Sequence, residues 1–242
     1  MRAVKIITVF TLVLCYLYFS YARFYNYIGE LDLRSPYTTK AFDIDNPLGN
    51  GFAKYVALGD SLSAGVGSLD TKNTFVYDYA LKLSSTYQKV SVVNLGEPGA
   101  TTYDLINRQL PEAILAQPDY ITLLIGTNDI HCRSSAVNFE RNYSQILQEL
   151  LSKTNAQIIV INLPYLGSEK IAYPPYNLVL DFRTKQFNRI ISSLVDSDRL
   201  KLVDLYEASY DFAKNSPDFY STDLFHPSDT GYALWGKLIN AY

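Results

Sequence analysis

Tyr55-Val56-Ala57-Leu58-Gly59-Asp60-Ser61-Leu62-Ser63-Ala64-Gly65-Val66-Gly67 is the stretch that decides how this chain folds. Tyr55 to Leu58 is a short, unbroken apolar run. Such runs suit strands buried on both faces of a parallel sheet, because a strand with one wet face alternates apolar and polar residues instead. The run stops at Gly59-Asp60-Ser61-Leu62, and a glycine-rich turn, Ser63 to Gly67, follows. Ser61 therefore lies just past a strand's carboxyl end, where open α/β sheets build their sites.

Working outward, four more apolar runs recur at Val90–Leu95, Tyr120–Ile125, Ile158–Leu163 and Leu200–Leu205. Helical spacing fills the gaps. Phe75, Tyr79, Leu81 and Leu83 mark one helix, and Leu105, Leu110, Ile114 and Leu115 a second, interrupted by Pro111. Phe139, Tyr143, Ile146, Leu147, Leu150 and Leu151 make the clearest amphipathic stripe. Phe187, Ile190, Ile191 and Leu194 make another, and Tyr232 to Tyr242 closes the chain. Alternating strand and helix predicts a three-layer α/β fold with right-handed crossovers. Gly99 and Asn128, like Ser61, fall just past predicted strand ends.

The 242 residues fit one α/β domain and a short extension. With 48% hydrophobic and 19% charged residues, a substantial core is expected and disorder is not. The net charge of -3 comes with no basic stripe, which argues against a nucleic-acid partner. Cys15 lies in the apolar N-terminal run, so Cys132 is alone in the folded part and no disulfide framework is possible. His131-Cys132 beside Asp129 reads as a loop after a strand, because adjacent ligands without a second cluster do not make a metal site. No metal, cofactor or obligate protein partner is expected.

At the N-terminus, Arg2 and Lys5 precede an apolar stretch from Ile6 to Phe19, and Ser20-Tyr21-Ala22 puts small residues where a signal peptidase reads. Residues 1–22 are read as a signal peptide or an uncleaved signal anchor, extended in the second case by aromatics through Tyr27. Cys15 is not preceded by a small residue, unlike the cysteine of a bacterial lipoprotein signal. Either way the body of the protein is expected outside the cytoplasm. Residues 23–52, with Pro36, Pro47, Gly49, Asn50 and Gly51, read as a connector, either a mobile stalk or a strap packed by its aromatics. The remaining domain spans 53–242.

Within that domain, Ser61 is a candidate nucleophile whose own N–H faces a developing oxyanion, although an N-cap serine looks the same in sequence. Pro98-Gly99-Ala100-Thr101-Thr102 offers a backbone N–H that a ligand can approach closely, or a plain turn. Gly126-Thr127-Asn128-Asp129 offers a neutral amide donor, or a Gly/Asn turn. Asp223 and His226 are spaced to share one face of a turn, the carboxylate accepting from Nδ1 and leaving Nε2 toward Ser61. Of the two histidines, His226 is the better base, and His131 is expected to be structural or at the rim. Asp60 reads as a turn-stabilising carboxylate.

Taken in order, Gly59-Asp60-Ser61-Leu62, Gly99, Gly126-x-Asn128-Asp129 and Asp223-x-x-His226 resemble the four blocks of the SGNH hydrolases, also called GDSL esterases/lipases, over about Lys54 to Tyr242. The resemblance implies a flavodoxin-like sandwich around a five-stranded parallel sheet of order 2-1-3-4-5. It also implies a serine esterase with Ser61, Asp223 and His226 catalytic, and an oxyanion hole from the Ser61 and Gly99 N–H groups and the Asn128 side chain. The substrate would be a small ester or an acylated glycan or lipid.

The irregular stretch from Pro164 to Tyr176, rich in Pro and Tyr, and Ser209 to Tyr220 are candidate rims, or plain surface loops. No long apolar lid segment is present, which argues against a triglyceride lipase. Three alternatives share these residues. One is an O-acyltransferase or deacetylase of cell-envelope glycans. A second is a non-catalytic binding module. The third, a nucleotide binder using Ser61 to Gly67, lacks the P-loop lysine and the Gly-x-Gly-x-x-Gly spacing.

Overall fold

The computed structural model describes residues 2–33 and 39–241, so Pro36 of the expected connector and Tyr242 at the end of the expected closing helix lie outside the described residues. Six strands form one sheet: β1 (Ala41–Asp45), β2 (Phe52–Gly59), β3 (Lys89–Asn94), β4 (Tyr120–Leu124), β5 (Gln157–Ile161) and β6 (Leu200–Val203), in the order β1-β3-β2-β4-β5-β6. β2 to β6 are parallel and carry the expected 2-1-3-4-5 order. Tyr55–Leu58, Ile121–Leu124 and Ile158–Ile161 are all buried, as the unbroken apolar runs require.

The five-stranded expectation needs one correction. β1 adds a sixth strand, antiparallel to β3 with Ala41 opposite Val93 and Asp45 opposite Lys89. Its own sequence, Ala-Phe-Asp-Ile-Asp, has only two large apolar residues. Its partners supply the rest: Lys89 pairs with Asp43 at 2.7 Å, the Ser91 hydroxyl donates to the same carboxylate, and Phe42 meets Tyr77 at 5.5 Å between ring centres. The acidic edge also discourages a further strand from adding. Residues 23–52, read as a connector, hold this strand and the end of the first helix.

That helix, α1 (Arg2–Gly29), runs through the Ser20-Tyr21-Ala22 segment without a break. After β2 come α2 (Ser61–Ala64) and α3 (Phe75–Ser84). After β3 come α4 (Thr102–Asp104), a π turn (Leu105–Gln109) and α5 (Leu110–Ala116). Pro111 does not end this helix. It sits in the first turn of α5, where a missing N–H costs nothing, and the π turn precedes it. After β4 come α6 (Thr127–His131) and α7 (Ala136–Lys153). α8 (Tyr176–Ser193) joins β5 to β6, and α9 (Tyr206–Asn215) and α10 (Asp229–Ile239) close the chain.

β2 to β3 steps one way along the sheet and β3 to β4 steps back, so right-handed crossovers place α3 on one face and α5, α7 and α8 on the other. α10 returns to pack on α3, and α7 packs between α5 and α8. The reversal at β2 makes the switch point, with Ser61 after β2 and Asn128 after β4; Gly59 pairs with Leu124, so both loops leave the sheet at one level. Phe139 of α7 and Phe187 of α8 stack with ring centres 4.0 Å apart, and a Cβ on Gly126 would lie 2.8 Å from the Phe139 ring. This pair therefore supports the turn that carries Asn128. Phe187→Ala is expected to lower unfolding stability by about 3–5 kcal/mol in a urea titration, the usual cost of a large aromatic cavity.

Candidate active site

β2 delivers Ser61 as the first residue of α2, with Asp60 as N-cap accepting from the Leu62 N–H. The opposite wall is the loop before α10. There the Asp223 Oδ1 accepts from the Ser221 hydroxyl (2.8 Å) and from the N–H groups of Phe225 (2.9 Å) and His226 (2.8 Å). Leu224 takes the left-handed conformation, φ 54°, that lets the chain curl around this carboxylate. Asp223 and His226 therefore share a tight loop. The His226 Nδ1 lies 2.6 Å from Asp223 Oδ2, and its Nε2 lies 2.9 Å from Ser61 Oγ. A carboxylate only accepts, so Nδ1 carries the proton and Nε2 presents its lone pair to the serine hydroxyl. Burial works to raise the Asp223 carboxyl, but the bonds from the His226 ring and the two backbone N–H groups outweigh it and hold it at about 2.

Three candidate hydrogen-bond donors sit on the turns that follow β2, β3 and β4. Among the described residues, the N–H groups of Ser61 and Gly99 have no hydrogen-bond acceptor. Gly99 has φ +82°, a conformation that turns its N–H out of the chain and that side chains resist. Asn128 spends one Nδ2 hydrogen on the Ala100 carbonyl, 3.0 Å away, and keeps the second. Because a carbonyl only accepts, this contact also fixes which end of the amide is nitrogen. α2 is a single turn, so the local N–H groups rather than a summed helix dipole supply the positive end.

Several supports were not legible from motifs. Gln109, in the π turn, brackets Gly59, accepting from its N–H at 3.0 Å and donating to its carbonyl at 2.8 Å. Asp129 accepts from the Thr102 N–H and hydroxyl at 2.8 and 2.6 Å, tying the asparagine turn to the glycine turn. Asn94 donates to the Ser63 carbonyl at 2.7 Å. Gly67 lies against the other side of the site, where a Cβ would come 3.0 Å from the His226 Cβ. Ser221 and the Tyr27 hydroxyl, which donates to the Asp223 carbonyl, reach the site from distant segments. Only the polarity of the blocks around Asn128 and Asp129 hinted at such ties.

His131 is 7% exposed and is packed between Phe24 and Phe225. Burial, with the nearby His226, pulls its pKa to about 4, which keeps it neutral between the two rings. Asp60 is fully buried, and burial raises its carboxyl to about 7 against the pull of the Leu62 N–H. Its folded pKa stands above the ordinary 3.8, so the folded state binds the proton more tightly. The stability this gives is present below the unfolded value and is lost as pH rises through about 7. Asp60→Asn keeps an oxygen for Leu62 and cannot ionise. Its melting temperature, followed by circular dichroism, is expected to fall less than that of the wild type between about pH 5 and about pH 8, leaving the variant the more stable at the upper end.

Comparisons with known proteins find relatives over most of the chain. The chain is 25% identical over 208 residues to the spore germination lipase LipC of Bacillus licheniformis, covering 78% of this chain and 95% of that lipase. It is 25% identical over 212 residues to an acetylxylan esterase of Geobacillus stearothermophilus, covering 78% and 93%. The crystal structure of a lipase/acylhydrolase from Enterococcus faecalis superimposes with a TM-score of 0.61 at 25% identity, over 78% of this chain and 94% of that one. The model of the GDSL-like lipase/acylhydrolase family matches residues 57–234, from the middle of β2 to the middle of α10. The chain belongs to the GDSL-like lipase/acylhydrolase family and is a carboxylic ester hydrolase of the esterase/lipase type.

Proposed function

We propose that this protein is a serine esterase that works through an acyl-enzyme. The observation that carries the reading is the unbroken line from Ser61 Oγ to His226 Nε2 (2.9 Å) and from His226 Nδ1 to Asp223 Oδ2 (2.6 Å). Ser61 Oγ attacks the ester carbonyl as His226 Nε2 takes its proton. Asp223 holds the ring in the tautomer that makes this possible and stabilises the imidazolium. The carbonyl oxygen, now negative, collects the N–H of Ser61, the N–H of Gly99 and the free hydrogen of Asn128. His226 gives its proton to the departing alcohol, and water repeats the cycle on the acyl-enzyme. On this reading Arg2 and Lys5 stay on the cytoplasmic side and the catalytic part lies outside, in line with the positive-inside preference.

A second reading, deacetylation of a cell-envelope glycan or acyl transfer to it, is favoured by one feature. An open cleft of about 600 Å³ lies between the loop after β5, α8 and α9, lined by Tyr165, Tyr206 and Tyr210 among Lys and Glu side chains, surroundings suited to a sugar; none of Ser61, Asn128 and His226 lines it, but Tyr165 also lines the narrow pocket beside Leu62 and Thr127. Product analysis with acetylated xylo-oligosaccharide, with and without an alcohol acceptor, separates hydrolysis from transfer.

For the main reading, Ser61→Ala is expected to lose labelling by a fluorophosphonate probe and to slow hydrolysis of p-nitrophenyl acetate by about a thousandfold or more. Wild-type turnover in that variant rejects the covalent route. Asn128→Ala is expected to lower kcat by about 100- to 1000-fold while the melting curve stays near that of the wild type. Unchanged turnover removes Asn128 from the site.

A further inference from the structure

The two halves of α1 meet different surroundings. Its first half is apolar and open, with Ile6 69%, Phe10 63% and Phe19 52% exposed, whereas Ser20 and Phe24 are fully buried. Val4–Gly29 is the one helix among the described residues that is long and apolar enough to cross a membrane, with a mean hydropathy of 1.7. From Val4 to Tyr21 it rises about 26 Å at about 1.5 Å per residue, close to the roughly 30 Å of a bilayer's hydrocarbon core.

The second half is built into the catalytic domain. The Ser20 hydroxyl donates to the Tyr173 carbonyl (2.5 Å), the Tyr25 hydroxyl to the His131 carbonyl (2.8 Å), and the Tyr27 hydroxyl to the Asp223 carbonyl. A continuous run of ring contacts leads inward. Phe24 lies 5.3 Å from His131, His131 lies 5.5 Å from Phe225, and Phe225 lies 5.0 Å from His226. Beyond the helix, Leu33 reaches Gly99, its Cδ1 lying 3.8 Å from where a Cβ would sit. Residues on and just past α1 thus touch the histidine loop and the glycine turn. A cut after Ala22 would leave only residues 23–29 of the helix, too short to hold helical form alone and without the preceding carbonyls that its first N–H groups use.

Between the two halves is a collar of the kind found at a membrane–water boundary. Arg23 lies over the Tyr173 ring at 4.4 Å, and Arg133 lies within 5.8 Å of the rings of Tyr21 and Tyr25. The first turns of α8 follow Tyr176, which packs on Tyr21 and Phe24, and they expose Leu178, Val179 and Phe182. Exposed apolar side chains beside a spanning helix are what a bilayer surface covers.

We propose that α1 is retained as a membrane anchor whose last turns form a wall of the active site, so that Ser61 works at the bilayer surface on an ester carried by a bilayer amphiphile. This rests on the esterase reading and adds where the enzyme meets its substrate.

The test uses the full chain, purified from membranes and reconstituted into phosphatidylcholine vesicles doped with lysophosphatidylglycerol. Intact mass is expected to include residues 1–22; a mass beginning at Arg23 overturns the proposal. Fatty-acid release from the vesicles is compared with hydrolysis of p-nitrophenyl acetate in water. The double variant Val179→Ser, Phe182→Ser is expected to lower the ratio of the two rates by about tenfold or more, as lost burial of two apolar side chains would. An unchanged ratio overturns the proposal, as does faster turnover of acetylated xylo-oligosaccharide than of the vesicle lipid by the wild type. A wild-type chain inert on p-nitrophenyl acetate sinks the esterase reading itself, and so is distinguished from either result.

Discussion

A carboxylate accepts hydrogen bonds and cannot donate them, and the orientation of the whole site depends on that constraint at Asp223. Its Oδ2 accepts from Nδ1 of a fully buried imidazole, which leaves Nε2 facing Ser61. Its Oδ1 is occupied by one hydroxyl and two backbone N–H groups from the same loop, so the carboxylate cannot turn without leaving part-buried donors unpaired. An unmade bond costs up to about 1–3 kcal/mol where its donor is fully buried, and three bonds together hold the group more firmly than the histidine contact would alone. Gly67 on one side and the Tyr27 hydroxyl on the other complete the packing of the loop.

The same economy recurs across the sheet ends. Buried amides and carboxylates bind the backbone of a neighbouring turn: Gln109 on Gly59, Asn94 on Ser63 and Asp129 on Thr102. Each ties a strand end or the turn after it to the next crossover, so the three donors proposed for the oxyanion are set before any substrate arrives. Preorganisation of that sort is where electrostatic catalysis gains most, because nothing has to reorganise as charge develops. It has a cost. Asp60 and Asp129 are both buried near one another, and burial raises both carboxyls.

α1 adds a second level of connection. Ring contacts run from its Phe24 through His131 and Phe225 to the proposed base, so the proposed anchor and the site would share one packed wall. The far edge of the sheet has the opposite character: β1 is short and acidic and is closed by Lys89. An apolar end and a charged edge on one small domain are consistent with a molecule held at a surface by one side.

Five strands and their helices were legible in the apolar runs, most plainly β2, β4 and β5, because parallel strands covered on both faces must be continuously apolar; β3 and β6 alternate in burial. The candidate residues were legible for a related reason: the serine, glycine and asparagine follow strand ends directly, and Asp223 and His226 are close enough in the chain to meet within one turn. β1 was not legible, since half of what holds it belongs to Lys89 and Ser91 on another strand. Nor was the passage of a helix through Pro111, which depends on where the π turn falls. The contacts of Gln109, Ser221 and Tyr27 were also hidden, because they join residues to partners whose distance is set by the sheet order. The amino-acid sequence by itself determined what the strands are and which chemical groups lie at their ends. Only the tertiary structure decided which of those groups touch, and that the end of α1 packs on the loop of Asp223 and His226, because contacts between distant segments exist only once the crossovers have closed.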